Sequence, residues 1–160
     1  PAATLVRHVG FLQTDGLIFR GTIRDNLTCF GQIPDAEAQE MAGLLRINQD
    51  IAGLPSGFDT FLTGSNQDSI TPGLKQRIAM ARVLAPKPRI ILYDAADRSL
   101  DRDGYNLVYN LLARLKGKVT MILISEDANI RGLANRHFNI EGGDVREEQI
   151  SGDSYREVRL

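Results

Sequence analysis

Short unbroken apolar runs alternate with segments of helical periodicity along this chain. Residues 8–12 (HVGFL) form an apolar run between polar neighbours, the pattern of a buried strand, and the polar residues 14–16 end it. Residues 17–30 (LIFRGTIRDNLTCF) carry a Gly-Thr start followed by Ile23, Leu27 and Phe30 at helical spacing, which predicts a short helix. Pro34 and Asp35 open the next helix, whose apolar face is Ala38, Met41, Ala42, Leu44 and Leu45. Residues 47–69, rich in Gly, Ser, Pro and Asp, are expected to be loop. The spacing then predicts a helix over 72–84, with Leu74, Ile78, Met80, Ala81 and Leu84 inward and Lys75, Arg77 and Arg82 on the wetter sides; Pro86 and Pro88 end it.

The second half repeats the alternation. Residues 89–94 (RIILYD) are nearly all apolar up to Asp94, as in a parallel strand covered on both faces. Leu107, Val108, Leu111, Leu112 and Leu115 mark a helix over 101–116, with Gly117 as its stop. Residues 119–124 (VTMILI) predict a second buried strand, 127–135 a short helix, and 137–148 a hairpin turning at Gly142-Gly143-Asp144. The polar tail from Ser151 is expected to be a last short helix or a loose end. The class is α/β, with a mostly parallel sheet and flanking helices.

Composition narrows the function. At 160 residues the chain is one domain by length, and a net charge of -1 with a pI near 6.2 gives no nucleic-acid footprint. One cysteine, Cys29, excludes an internal disulfide, and with two histidines it argues against a Cys/His metal cage. No apolar run reaches the roughly 20 residues that span a bilayer. The chain starts at Pro1 rather than Met and is expected to be a piece of something longer.

Four blocks carry candidate chemistry. They are residues 6–31 (VRHVGFLQTDGLIFRGTIRDNLTCFG), 54–60 (LPSGFDT), 70–101 (ITPGLKQRIAMARVLAPKPRIILYDAADRSLD) and 119–145 (VTMILISEDANIRGLANRHFNIEGGDV). A strand ending in a carboxylate, as 89–94 ends in Asp94, is how phosphate-handling α/β proteins hold magnesium at a sheet edge. Read alone, such a carboxylate caps a helix or faces solvent as readily. In this order the blocks resemble the Q-loop, the segment before the signature loop, the signature–Walker B–D-loop stretch and the H-loop of exporter-type ABC transporter nucleotide-binding domains.

The resemblance implies a partial ABC-type P-loop ATPase core of residues 1–21 and 86–160, plus an α-helical, signature-bearing subdomain of about 22–85. It implies ATP and Mg as cofactors of the complete domain, Asp94 holding the metal through water. The candidate nucleotide-binding residues are Gln13, Thr14, Thr71, Gly73, Asp94 and Asp101. It further implies a second nucleotide-binding domain and the transmembrane domain of an exporter as partners, at the cytoplasmic face of a membrane, with the chain itself soluble. No segment matches the phosphate-cradling G-x-x-x-x-G-K-[ST], so the chain alone is expected to bind no nucleotide. The strand preceding that loop is also outside the match, which leaves apolar faces and strand edges for another chain to cover.

The chain departs from the family where chemistry occurs. Thr14 stands where the family has Gln, with Gln13 one position early. Pro72 and Leu74 replace Gly and Gln of the signature, whereas Thr71 keeps a hydroxyl and is also a good helix cap. Ala95 replaces the glutamate that polarises water, and a methyl group can neither accept a proton nor orient water. Glu126 replaces the family His and turns a donor toward phosphate into a repulsive charge. No catalytic residue is therefore expected, and the expected role is a degenerate, regulatory half of an exporter's ATP-driven pair. An active ATPase in which Asp97 replaces the missing glutamate, or an interaction module that binds no nucleotide, are the alternatives.

Overall fold

The computed structural model describes residues 8–65 and 67–148; the tail from Ser151 lies outside them. Three strands, β1 (Val9–Leu12), β4 (Ile90–Asp94) and β5 (Thr120–Ile124), form a parallel sheet of order β1–β4–β5. Its register pairs Phe11 with Leu92 and Leu92 with Ile122, and it ends with Asp94 beside Ile124.

Because side chains alternate across a strand, each strand contributes one row to each face. Leu12, Ile91 and Tyr93 are buried on one face, with Met121 and Leu123 packed against them. The opposite face carries Phe11, Leu92, Ile122 and Ile124, and Phe11, Ile122 and Ile124 are exposed. The apolar run at 89–94 therefore has one well-covered face, where the sequence pattern indicates two.

The helices gather on the covered side. Helix α4 (Pro72–Leu84) runs over the expected residues and buries Leu74, Ile78, Met80, Ala81 and Leu84. Around it pack α1 (Ile23–Thr28), α2 (Asp35–Leu44) and α3 (Ile47–Ile51), and α5 (Arg102–Leu115) buries Val108, Leu111 and Leu112. A single apolar cluster runs from Ile23 through Ile78 and Ile91 to Val108 and Ile130. Leu44 is exposed, unlike the rest of the α2 face. The short helix α6 (Ala128–Gly132) and the hairpin β6 (His137–Glu141) with β7 (Asp144–Glu148) follow as the spacing predicts.

Two local expectations are corrected, for residues 47–69 and for Arg77, and the start of α1 follows the sequence. The segment 17–30 starts its helix directly after the Gly-Thr signal, as the spacing predicts, and residues 17–20 ahead of it take no regular structure. The signal itself forms β2 (Gly21–Thr22), paired with β3 (Phe61–Leu62), and the chain is helical from Ile23. Asn26 is fully buried; it accepts from the Phe19 N–H at 2.8 Å and donates to the Phe19 and Thr22 carbonyls, tying the segment ahead of the helix to α1. The helix starts where Thr22 and Asp25 cap each other, Thr22 Oγ1 accepting from Asp25 N at 3.0 Å and Asp25 Oδ2 from Thr22 N at 2.8 Å.

Residues 47–69 contain α3, a 3₁₀ turn at Gly57–Asp59 and β3 rather than loop alone. Arg46 turns through the left-handed region at φ 51°, and Ile47 and Ile51, one helical turn apart, are driven into the core.

Arg77 is buried rather than on a wet side. Its guanidinium donates to the Leu45 carbonyl at 2.9 Å and to the Asp50 carboxylate, so it ties α4 to the end of α2 and to α3.

Candidate functional site

Chemistry-bearing residues collect at the C-terminal ends of β1 and β4, where open parallel sheets bind ligands. Thr14 follows β1, and its hydroxyl donates to the Asp94 carbonyl at 3.1 Å. The Thr14 carbonyl in turn accepts from Ser99 Oγ at 3.3 Å. The turn after β1 and the turn after β4 are thus stitched together at their backbones. Among the described residues no hydrogen bond or ion pair engages the Asp94 carboxylate, which is half-buried at the strand end.

Ala95 leaves the strand in the left-handed conformation, φ 46°, with its N–H donated to the Ile124 carbonyl at 2.8 Å. A residue with a Cβ is strained in that region. Asp97, two residues further along the turn, accepts from the Tyr93 hydroxyl at 2.8 Å. Tyr93 lies on the covered face of the sheet, so this bond draws the carboxylate toward the core. Burial, helped by the Asp97 bond, pushes the Tyr93 phenol well above its ordinary value. Below it, Tyr105 donates to Asp127 at 2.7 Å, and burial together with that bond pushes its phenol up to about 12.

Glu126 is nearly fully exposed beyond β5 and stands 3.5 Å from Arg98. The pair joins the turn after β4 to the turn after β5.

The structure separates the candidate nucleotide-binding residues into two groups. Gln13, Thr14 and Asp94 share the strand-end cluster. Gly73 and Asp101 lie nearby, a Cβ on Gly73 falling 3.6 Å from the Ser99 carbonyl and 3.8 Å from Asp101 N. Asp101 is occupied as the cap of α5, accepting from Gly104 N at 2.8 Å. Thr71 caps α4, Oγ1 accepting from Leu74 N at 3.2 Å with Pro72 in the first turn, as the sequence indicates. Leu74 is buried and belongs to the core. Before α4, Asp68 accepts from Thr63 N and Oγ1 at 2.7 Å and pairs with Lys75 at 3.4 Å, fixing the loop that delivers Thr71.

One participant escaped the sequence reading. Gln76 is 2% exposed, and its amide reaches both turns. The signal available was a polar residue one helical turn before Met80, on the same side of the helix as Ala79, Met80 and Val83.

Among the described residues no cluster of three or more His, Cys, Asp or Glu could hold a metal ion. Asp94 fits one position in the shell of a hydrated magnesium, an ion that keeps several waters and takes one or two carboxylates plus phosphates. A nucleotide would need a phosphate cradle that these residues do not form. Beside the cluster lies a groove of about 170 Å³ lined by Phe11, Leu17, Phe19, Gln76 and Arg82. Arg82 lies 4.4 Å over the Phe19 ring and donates to the Leu17 carbonyl. No helix of the described residues is long and apolar enough to cross a membrane.

A parallel-sheet α/β domain with these helices, strand-end aspartate and linked loops in this order corresponds to the C-terminal portion of an ABC-type nucleotide-binding domain. The chain belongs to the ABC exporters. It is 35% identical over 143 residues to ABC transporter B family member 20 of Arabidopsis thaliana, a match covering 88% of the chain and 10% of that protein. It is 30% identical over 149 residues to the cyclolysin secretion/processing ATP-binding protein CyaB of Bordetella pertussis, covering 91% of the chain and 20% of that protein. Its fold matches a bacterial Atm1-family ABC exporter solved with ATP bound, with a TM-score of 0.77 and 27% identity over 88% of the chain and 25% of that structure. The chain thus spans a tenth to a fifth of the length of these curated relatives. No family model matches it.

Proposed function

We propose that the chain serves as a degenerate, regulatory half of an exporter's ATP-driven pair, working against a second nucleotide-binding domain. The carrying observation is the turn after Asp94. The position that should activate water holds Ala95, and the neighbouring carboxylate, Asp97, is engaged by Tyr93. In this reading Asp94 contributes to a hydrated magnesium, Thr71, Gly73 and Asp101 lie on the dimer surface, and Gln13 and Thr14 border the nucleotide. Residues 22–85 form the signature-bearing part, and residues 1–21 with 86–160 the sheet-bearing part. ATP and magnesium belong to the complete domain, and the 160-residue chain binds neither unaided.

The transmembrane partner is proposed to dock through residues 14–26. The groove beside them supports this, with its cation on an aromatic ring and exposed Leu17 and Phe19 at its mouth. Its volume is of the order of one or two side chains, enough for a short anchor from a partner element.

The test uses the full-length exporter with Mg-ATP. Expected is binding with little turnover from this site. Turnover close to that of an intact relative, abolished by Asp94→Asn, overturns the reading. Absence of ATP binding by calorimetry would instead favour an interaction module without nucleotide.

A further inference from the structure

Gln76 occupies the middle of α4 among apolar neighbours, yet every polar atom of its side chain is used. The amide oxygen accepts from the Gly16 N–H. The amide nitrogen donates to the Gln13 carbonyl at 2.8 Å and to the Ala96 carbonyl at 2.9 Å. Three segments far apart in sequence, the turn after β1, helix α4 and the turn after β4, therefore meet on one side chain. The same residue forms part of the groove wall, with Asp15, Gly16 and Phe19. A buried amide whose donors and acceptor are all engaged is rigid, because moving one partner unpairs another.

Gly16 carries a second observation. Its backbone is not left-handed, so glycine is not required there for conformation. It is required for space: a Cβ would stand 2.6 Å from Gln76 Oε1 and 2.7 Å from Ala79 Cβ. The chain thus leaves Gln76 room to seat against the Gly16 backbone.

We infer that Gln76 is a positioning residue that couples the groove to the turn after Asp94. Displacement of residues 13–16 by whatever seats in the groove moves the Gln76 amide. The Ala96 carbonyl follows, and with it the turn closed by the Arg98 N–H to Ala95 and the Leu100 N–H to Asp97. This tie operates whether or not the site hydrolyses anything, so its failure and the failure of the proposed function are separate results.

Amide hydrogen exchange by NMR on the 160-residue chain tests it. The reporters are the Arg98 and Leu100 N–H groups, and the reference is the Lys116 N–H, bonded to the Leu112 carbonyl at 3.0 Å in α5. Gly16→Ala is expected to speed exchange of both reporters roughly three- to tenfold, the loss of about one hydrogen bond, with Lys116 nearly unchanged. In a Gln76→Ala background the same Gly16→Ala change is expected to leave the reporters where Gln76→Ala alone puts them. Equal effects in both backgrounds, no effect in either, or a uniform rise that includes Lys116 overturns the inference.

If Gly16→Ala prevents folding, Gln76→Glu replaces it. That variant keeps the acceptor for Gly16 and sets a carboxylate oxygen against two carbonyls. Retained protection at Gly16 with lost protection at Arg98 and Leu100 supports the tie, and any other pattern overturns it.

Discussion

Tyr93 donates its hydroxyl to Asp97 across 2.8 Å, joining the buried face of the central strand to the turn that follows it. The bond fixes the direction of Asp97, the carboxylate considered as a stand-in for a catalytic glutamate at position 95. Tyr93→Phe is expected to cost about 1 kcal/mol of stability, the worth of one hydrogen bond, measured by urea unfolding. Asp97→Asn is expected to leave any residual hydrolysis of the full-length exporter unchanged. A loss of turnover comparable to that of Asp94→Asn would make Asp97 the base.

Restoring the family residues provides the complementary experiment. Ala95→Glu with Glu126→His in the full-length exporter is expected to raise ATP turnover by roughly 10²-fold, the lower range of general acid–base contributions. No gain would point to rewired chemistry. Glu126→His also removes the ion pair with Arg98, which is exposed on both sides and contributes little to stability.

The backbone at Ala95 yields a prediction free of catalysis. With φ at 46°, the residue is held where glycine rests without strain. Ala95→Gly is expected to change stability by less than about 1 kcal/mol, relief of strain offsetting the added freedom of the unfolded chain. Ala95→Val, with a branched Cβ in the same region, is expected to destabilise by roughly 2 kcal/mol or more in the same urea measurement.

Thr71 is read here as a helix cap first. Thr71→Ala is expected to lower stability by about 1 kcal/mol in urea unfolding, and Thr71→Ser to restore most of it. A null effect of Thr71→Ala would remove the cap as the reason for a hydroxyl there.

Tyr105 gives the pH dependence. Burial and the Asp127 bond hold its phenol at about 12 in the folded state, against an ordinary value near 10. The unfolded chain therefore releases this proton first as pH rises, so stability falls between about pH 10 and 12. Tyr93, whose phenol is raised further, contributes a similar slope over the same range, so Tyr105→Phe is expected to reduce that part of the profile by about half, read from urea midpoints at stepped pH.

The sequence disclosed the frame through signals that act locally. Alternation and apolar runs located β1, β4 and β5, and the Thr71–Pro72 start and the paired prolines bounded α4 to the residue. The identities Ala95, Glu126 and Thr14, on which the proposed function rests, are read directly at fixed spacing in the sequence. Contacts across the chain were not legible. Asn26 ties the Phe19 backbone to α1. Asp50 draws Arg77 inward from more than twenty positions away. The Gln76 tie and the Arg98–Glu126 pair likewise join segments whose proximity depends on the finished fold. A hydropathy pattern records only how oily each position is, and it cannot tell which polar residue has a buried partner waiting.

Phe11, Leu92 and Ile122 stand in one row across the sheet, with Ile124 at its end, and most of that row faces water. Such a plane stays adhesive after folding is complete. The concentration at which the chain remains dispersed is then governed by this plane and not by how firmly the rest is folded. Mutations that raise the melting point would leave that ceiling where it is, and a polar replacement at Ile122 or Ile124 would lift it.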